Sequence, residues 1–229
     1  MTEYDLAARR SARRIALVAG SLGVVAVLVW MVLFSSVLGA DRVVVHGAHV
    51  VPADRIRSVA DVAHGRPLLR LDTGAIARRV ETLPDVAAAS VHVRYPSTVV
   101  ITVTERVAVG YLDAGGKAIL ADRSGRQFRT VSALPNALPR FDIPVDDRAT
   151  ATGQAVATVA GALTPALLAK LSSISASDPS AITLRLRDGR TVLWGSADRS
   201  ADKAQVLPAL LARGGSEFDV SNPDVVVAR

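Results

Sequence analysis

Val91-His92-Val93-Arg94-Tyr95-Pro96-Ser97-Thr98-Val99-Val100-Ile101-Thr102-Val103-Thr104 reads as two strands around one turn. Val91, Val93 and Tyr95 alternate with His92 and Arg94, the mark of a half-buried strand. Pro96-Ser97 supplies the turn. Val99, Ile101 and Val103 then alternate with Thr98, Thr102 and Thr104, residues that suit a pleated surface.

Upstream of this hairpin, Arg42 to Gly47 is a short β-branched run closed by glycine, a further strand. Pro52 suits the first turn of a helix, in which Ile56, Val59, Ala60 and Ala63 recur at helical spacing before Gly65. Asp72 is placed to cap a second helix with the stripe Ile76, Val80 and Leu83, and Pro84 follows it. The order is β-α-α-β-β over residues 41–108. Helices on one face of a small sheet give an α+β domain, with Ile56, Val93 and Ile101 expected to meet in its core.

Farther toward the N-terminus, Ile15 to Ala40 contains no charged residue. A bilayer core needs about 20 apolar residues in a helix, and this run is longer. Arg9, Arg10, Arg13 and Arg14 precede it and should stay in the cytoplasm. The expected topology is a cytoplasmic tail (1–14), one transmembrane helix (15–40) in the plasma membrane, and everything from Asp41 onward outside. The alternative is a cleaved signal peptide. Its apolar region would be about 7–15 residues long, and Leu38-Gly39-Ala40 matches a cleavage site only weakly.

Downstream, residues 109–229 read as a β-rich domain with helices. Asp113-Ala114-Gly115-Gly116 and Asp122-Arg123-Ser124-Gly125 mark turns. Val131 to Ala149 carries three prolines and reads as irregular loop with short extended pieces. Gln154 to Leu163 suits a helix. Thr164-Pro165 opens another, with Leu167, Leu168, Leu171 and Ile174 facing inward. Asp188-Gly189 joins two strands, Ile182 to Leu186 and Thr191 to Trp194. Ser200 to Leu211 forms a helix that Pro208 should kink or break. Glu217 to Val220 and Asp224 to Arg229 are strand-like, split by Asn222-Pro223.

The net charge is +6 and there is no cysteine, so the external fold rests on its core without disulfides or thiolate metal sites. Nucleic acid is not expected on the outer side of a membrane, where this charge favours at most a weak attraction to anionic envelope polymers or lipid headgroups. His46 and His49 flank a strand end with no carboxylate or third histidine placed nearby in sequence. His64 and His92 occupy polar positions, and Asp146-Asp147 is a charged loop pair. Nucleophile-elbow, phosphate-loop and zinc-helix motifs are absent from the sequence. The expectation is therefore a protein that is not an enzyme and has no cofactor, metal or small-molecule substrate. What remains is a strand edge. The run Asp224, Val225, Val226, Val227, Ala228 and Arg229 is either buried on both faces of its own sheet or an edge that accepts a partner strand.

The ordered set Val43–Gly47, Leu68-Leu69-Arg70-Leu71-Asp72, Leu83-Pro84-Asp85-Val86, Ala89–Pro96 and Val99–Val109 resembles the POTRA domain of the FtsQ/DivIB cell-division family. Leu120 to Phe128 resembles the family's D-x-x-G-x-x-F element, and Leu134-Pro135 its following Leu-Pro. Leu193-Trp194-Gly195 and Phe218 to Arg229 resemble its closing strands. The resemblance implies a non-enzymatic divisome scaffold at the division septum. It would bind FtsB/FtsL-type (DivIC-like) partners through Asp224–Arg229 and help control the septal cell-wall synthase complex. Its POTRA-like domain would aid recruitment. The family often has bulky residues in that last strand, where this chain has small or β-branched ones up to Arg229. Rival readings are a membrane-anchored envelope enzyme, which would need a convergent polar pocket, and a POTRA-type secretion or assembly factor, which would show repeated units or a barrel.

Overall fold

A computed structural model describes residues 19–25, 27, 30, 38–144, 150–222, 224 and 227–228. The chain divides into two compact units, Met1–Glu105 and Arg106–Arg229. Sequence reading placed the division three residues later.

Most of the expected Ile15–Ala40 span lies outside the described residues, Ile15 included. Among those described, residues 19–25 are helical, and Leu22, Val24, Val25, Val27 and Trp30 are all exposed. No helix of the described residues is long and apolar enough to cross a membrane. The other end needs redrawing. Gly39 bridges Pro67, and Ala40 is 3% exposed. The Ala40 N–H donates to the Arg66 carbonyl (2.9 Å), and its own carbonyl accepts from Gly65 N–H (3.0 Å). The lack of charge put these two residues in the apolar run, but tertiary pairing builds them into the first unit.

In that unit β1 (Arg42–His46) lies parallel to β3 (Thr98–Glu105), and β2 (Val86–Arg94) lies antiparallel to β3 on its other side. The order β1-β3-β2 makes β3 central, and Val99, Ile101 and Val103 are buried on the face that packs against the helices. Helices α1 (Ala53–Ala60) and α2 (Thr73–Val80) contribute Ile56, Ala60, Ile76 and Val80 to the same core. Ile56 and Ile101 are fully buried, and Val93 packs partly buried against them. Asp72 caps α2 by accepting from Ala75 N–H (2.8 Å), and Arg79 of α2 donates to the Ala60 carbonyl that ends α1.

Glu105 closes the far end of β3. Its carboxylate accepts the backbone N–H groups of His49, Val50 and Val51 at 3.0, 2.9 and 2.8 Å. Burial opposes ionisation, but these bonds outweigh it and hold the carboxyl below its ordinary range. The folded pKa is thus below the unfolded one. The resulting stability is fully present above the unfolded value and is lost as pH falls through the acidic range. Glu105→Gln is expected to cost the first unit about 2 kcal/mol near neutral pH, since charge-assisted bonds are replaced by weaker ones. The deficit should shrink on acidification. A deficit that stays constant between neutral and acidic pH would show that the charge is not what matters.

The described residues of the second unit form a nine-stranded sheet. β4 (Ala108–Asp113), β5 (Ala118–Asp122) and β6 (Gln127–Val131) make one antiparallel meander. β8 (Leu171–Ala176), β9 (Ile182–Leu186) and β10 (Thr191–Gly195) make another. β7 (Arg140–Asp142) joins them, parallel to β4 on one side and to β8 on the other. β11 (Glu217–Asp219) runs parallel to β10, and β12 (Val227–Ala228) pairs antiparallel with β11. Helices α3 (Ala151–Ala162), α4 (Pro165–Lys170) and α5 (Ser200–Ala212) add Val156, Leu167 and Leu207 to the main core.

Two expectations are corrected below. The proline-rich stretch, expected as loop with short extended pieces, holds one such piece as the joining strand β7. Phe141 at its centre is buried against Gly110 of β4, where an added Cβ would collide with the ring. The helix opened by Thr164 stops at Lys170, and Leu171 and Ile174 belong to β8. Their threefold spacing mimics a helix, but pairing with both β7 and β9 satisfies the backbone in a strand instead. Helix α5 runs through Pro208 unbroken, with that residue on its exposed face where a missing ladder bond costs least.

Candidate functional site

The site is the end of the large sheet at β11 and β12. Phe218 fixes β11, because its side chain is fully buried and the Arg190 guanidinium lies 5.8 Å from its ring centroid. Asp219 accepts from Ser221 N–H (2.9 Å), and the Asn222 side-chain oxygen accepts from Asp224 N–H (3.1 Å). The two bonds shape the turn into β12. Asp219 pairs with Val227 and Phe218 with Ala228. Beyond β12 no further strand lies among the described residues.

One arginine ties this turn to the rest of the unit. Arg199 donates to both carboxylate oxygens of Asp224, at 2.7 and 3.0 Å, and through Nε to Asp202 at 2.9 Å. The pairing with Asp224, then with Asp202, raises the Arg199 pKa, and it holds the Asp224 carboxyl below its usual range. Arg199 has a left-handed backbone (φ 52°) at the start of α5.

Buried polar groups brace the loop that presents it. Lys203 is 1% exposed, and its ammonium donates to the carbonyls of Trp194 (3.0 Å) and Ser196 (2.9 Å). Burial lowers its pKa, with the Asp198 carboxylate opposing. The Trp194 indole N–H donates to the Ser200 hydroxyl (3.1 Å), which donates to the Ala197 carbonyl (2.7 Å). Gly195, at φ +75°, admits the close approach of Ser221, whose Cβ a side chain there would press at 3.0 Å.

Of the residues expected to bind a partner, Asp224 lies in the turn, exposed and paired with Arg199, while Val227 and Ala228 form β12. Val225, Val226 and Arg229 lie outside the described residues. Sequence reading missed Arg199, Ser200 and Lys203 as supports of this edge. The only local signal was a lysine beside the apolar stripe of α5. The four histidines are exposed and far from forming a cluster, and no group of three metal-ligating side chains occurs among the described residues. Asp146 and Asp147 lie outside them. Asp122, read as a turn residue, is a buried hub that accepts from Arg106 (2.5 Å), from the Ser124 hydroxyl and N–H, and from Arg126 N–H.

Arg199→Ala should free Asp224 and loosen β12. The expected result is faster amide exchange at Val227 and Ala228 with little change in global unfolding. Acidification should act in the same direction, because a carboxylate with a depressed folded pKa loses its contribution as pH falls. Unchanged exchange at both positions in Arg199→Ala would show that the ion pair does not hold the strand.

Two family models divide the chain between them. The POTRA domain, FtsQ-type, matches residues 39–106, and the FtsQ/DivIB C-terminal domain matches residues 110–225. The chain belongs to the FtsQ/DivIB family of cell-division proteins. Among its relatives, the cell division protein FtsQ of Mycolicibacterium smegmatis is 40% identical over 90% of this chain and 62% of its own length. That of Mycobacterium tuberculosis is 38% identical over 84% of this chain and 61% of its own length. That of Streptomyces venezuelae is 33% identical over 92% of this chain and 82% of its own length. The chain thus spans a little over three fifths of the length of the mycobacterial FtsQ proteins it matches. The first family region ends at Arg106 and the second begins at Gly110, close to the division of the compact units between Glu105 and Arg106.

Proposed function

We propose that this FtsQ/DivIB-family protein is a non-catalytic scaffold of the divisome, anchored in the plasma membrane with residues 1–14 cytoplasmic and its two folded units outside. It captures a strand of an FtsB/FtsL-type (DivIC-like) partner on β12, and through that complex helps control the septal cell-wall synthase at the division site. The observation that carries this reading is the terminal place of β12, hydrogen-bonded to β11 alone among the described residues. The opposite end of the sheet, β6, is blunted by Arg129, whereas Val227-Ala228 offers no charge against a new strand. Strand addition draws much of its affinity from the backbone, so small side chains at this edge are compatible with it. The uncharged run from Ile15 and the exposed apolar residues of its helical part support the anchor.

The test is purification of the tagged full chain from dividing cells after cross-linking. Small single-span coiled-coil division proteins are expected with it, and their absence would sink the scaffold reading. A reporter active only outside the cytoplasm, fused after Arg229, should be active. Activity only for a cytoplasmic reporter would reverse the topology.

A further inference from the structure

The first unit has one end that meets the apolar segment, and its exposed apolar side chains concentrate there. Gly39 and Ala40 pair with the loop Gly65–Pro67, while Asp41 and Arg42 N–H groups both donate to the Ser97 carbonyl, at 2.9 and 3.2 Å. The segment therefore enters the unit between two loops, the one around Arg66 and the β2–β3 turn. Leu69 (50% exposed) is two residues past Pro67, and Tyr95 (52%) is two residues before Ser97. Each sits within roughly 7 Å of chain from those contacts. The headgroup layer of a bilayer is itself roughly 6 Å deep on each side.

The same end is basic. Arg42, Arg66, Arg70 and Arg94 are all exposed there. The nearby carboxylates Asp72, which caps α2, and Asp41, which faces His64 at 3.8 Å, offset part of this charge, and the arginines outnumber them. Val50, the other large exposed apolar residue described between residues 38 and 105, lies at the opposite end beside Glu105, roughly 23 Å away along β3. An amphipathic aromatic and a leucine among arginines, next to the entry of an apolar segment, are what a bilayer interface selects.

We propose that this end of the first unit rests on the outer headgroup layer of the bilayer, with Leu69 and Tyr95 at the interface and the four arginines on anionic phospholipid. The proposal rests on the anchoring reading above. Docking orients the first unit relative to the membrane surface, rather than leaving it to swing on its tether.

The chain has no cysteine, so single cysteines can carry an environment-sensitive fluorophore without background labelling. Full-length protein with Leu22→Cys, Val50→Cys, Leu69→Cys or Tyr95→Cys is placed in nanodiscs with or without phosphatidylglycerol, and nitroxide lipids serve as quenchers. Acyl-chain quenchers should reach position 22. Headgroup quenchers should reach 69 and 95 but not 50, and only in phosphatidylglycerol discs. Arg66→Glu with Arg70→Glu should reduce that quenching several-fold, given roughly fivefold in local affinity per arginine at an anionic surface. Quenching at 22 with none at 69 and 95 above the level at 50 overturns the docking and leaves the anchor standing. Quenching at 69 and 95 that ignores both lipid charge and the arginine substitutions overturns the electrostatic contact. Protection of 69 and 95 by an added division protein rather than by lipid would assign the face to that protein instead. No quenching at 22 removes the anchor and the docking together.

Discussion

Trp194→Ala is expected to lower the stability of the second unit by about 4 kcal/mol. The indole is fully buried in the main core, and its N–H donates to Ser200 at the start of α5. A buried tryptophan removes on the order of 200 Å² from water, and truncating one typically costs about 3–5 kcal/mol once the residual cavity is included. Polar penalties add little, since the Ser200 hydroxyl keeps its bond to the Ala197 carbonyl when the indole N–H is gone. The Lys203 ammonium, 5.9 Å from the ring centroid, loses a cation–π contact as well. Domains of this kind are stable by only about 5–15 kcal/mol, so the variant should be marginal at physiological temperature. Trp194→Phe should cost less than half as much. Denaturant unfolding followed by circular dichroism checks both, and a loss of under about 1 kcal/mol for alanine would mean that the site collapses around the deletion.

The second large effect concerns β12. Successive N–H groups in a strand point to opposite sides, so of Val227 and Ala228 one donates toward β11 and the other outward. Proline at the outward position removes a ladder donor and clashes with an incoming strand, a penalty of about 3 kcal/mol, or roughly a hundredfold in partner affinity. Threonine at the same position leaves the backbone intact and should change affinity only slightly. Proline at the inward position should detach β12 from β11 instead, and it should show in amide exchange before it shows in global unfolding. Binding measured beside thermal unfolding separates the cases. Two folded proline variants that bind at wild-type affinity would remove β12 as the docking edge. Unfolding of the unit by both would show a strand integral to the core.

The first unit was readable almost element by element. Its strands alternate, its turn carries Pro96-Ser97, and its helices have an apolar stripe with a cap at Asp72, each a local signal written within a few residues. The large sheet was less readable. β7 is three residues long and owes its place to Phe141 filling the space left by Gly110, a contact between residues far apart in sequence. β8 carries a spacing that suits a helix as well as a strand, and pairing on both sides decided between them.

By itself the sequence determined the kind of protein this is: an uncharged run behind four arginines, a β-α-α-β-β unit, and a β-rich remainder without catalytic motifs, all local patterns of hydrophobicity and charge. Only the tertiary structure decided that Gly39 and Ala40 belong to the first unit, that β12 stands last among the described strands of its sheet, and that Arg199 pairs with Asp224 in the turn before it while Lys203 braces the loop behind. The physical reason is the same in each case. Periodicity records which face of an element meets a core, but whether a strand has a neighbour on its outer side, or a lysine finds two carbonyls, depends on backbone brought in from elsewhere in the chain.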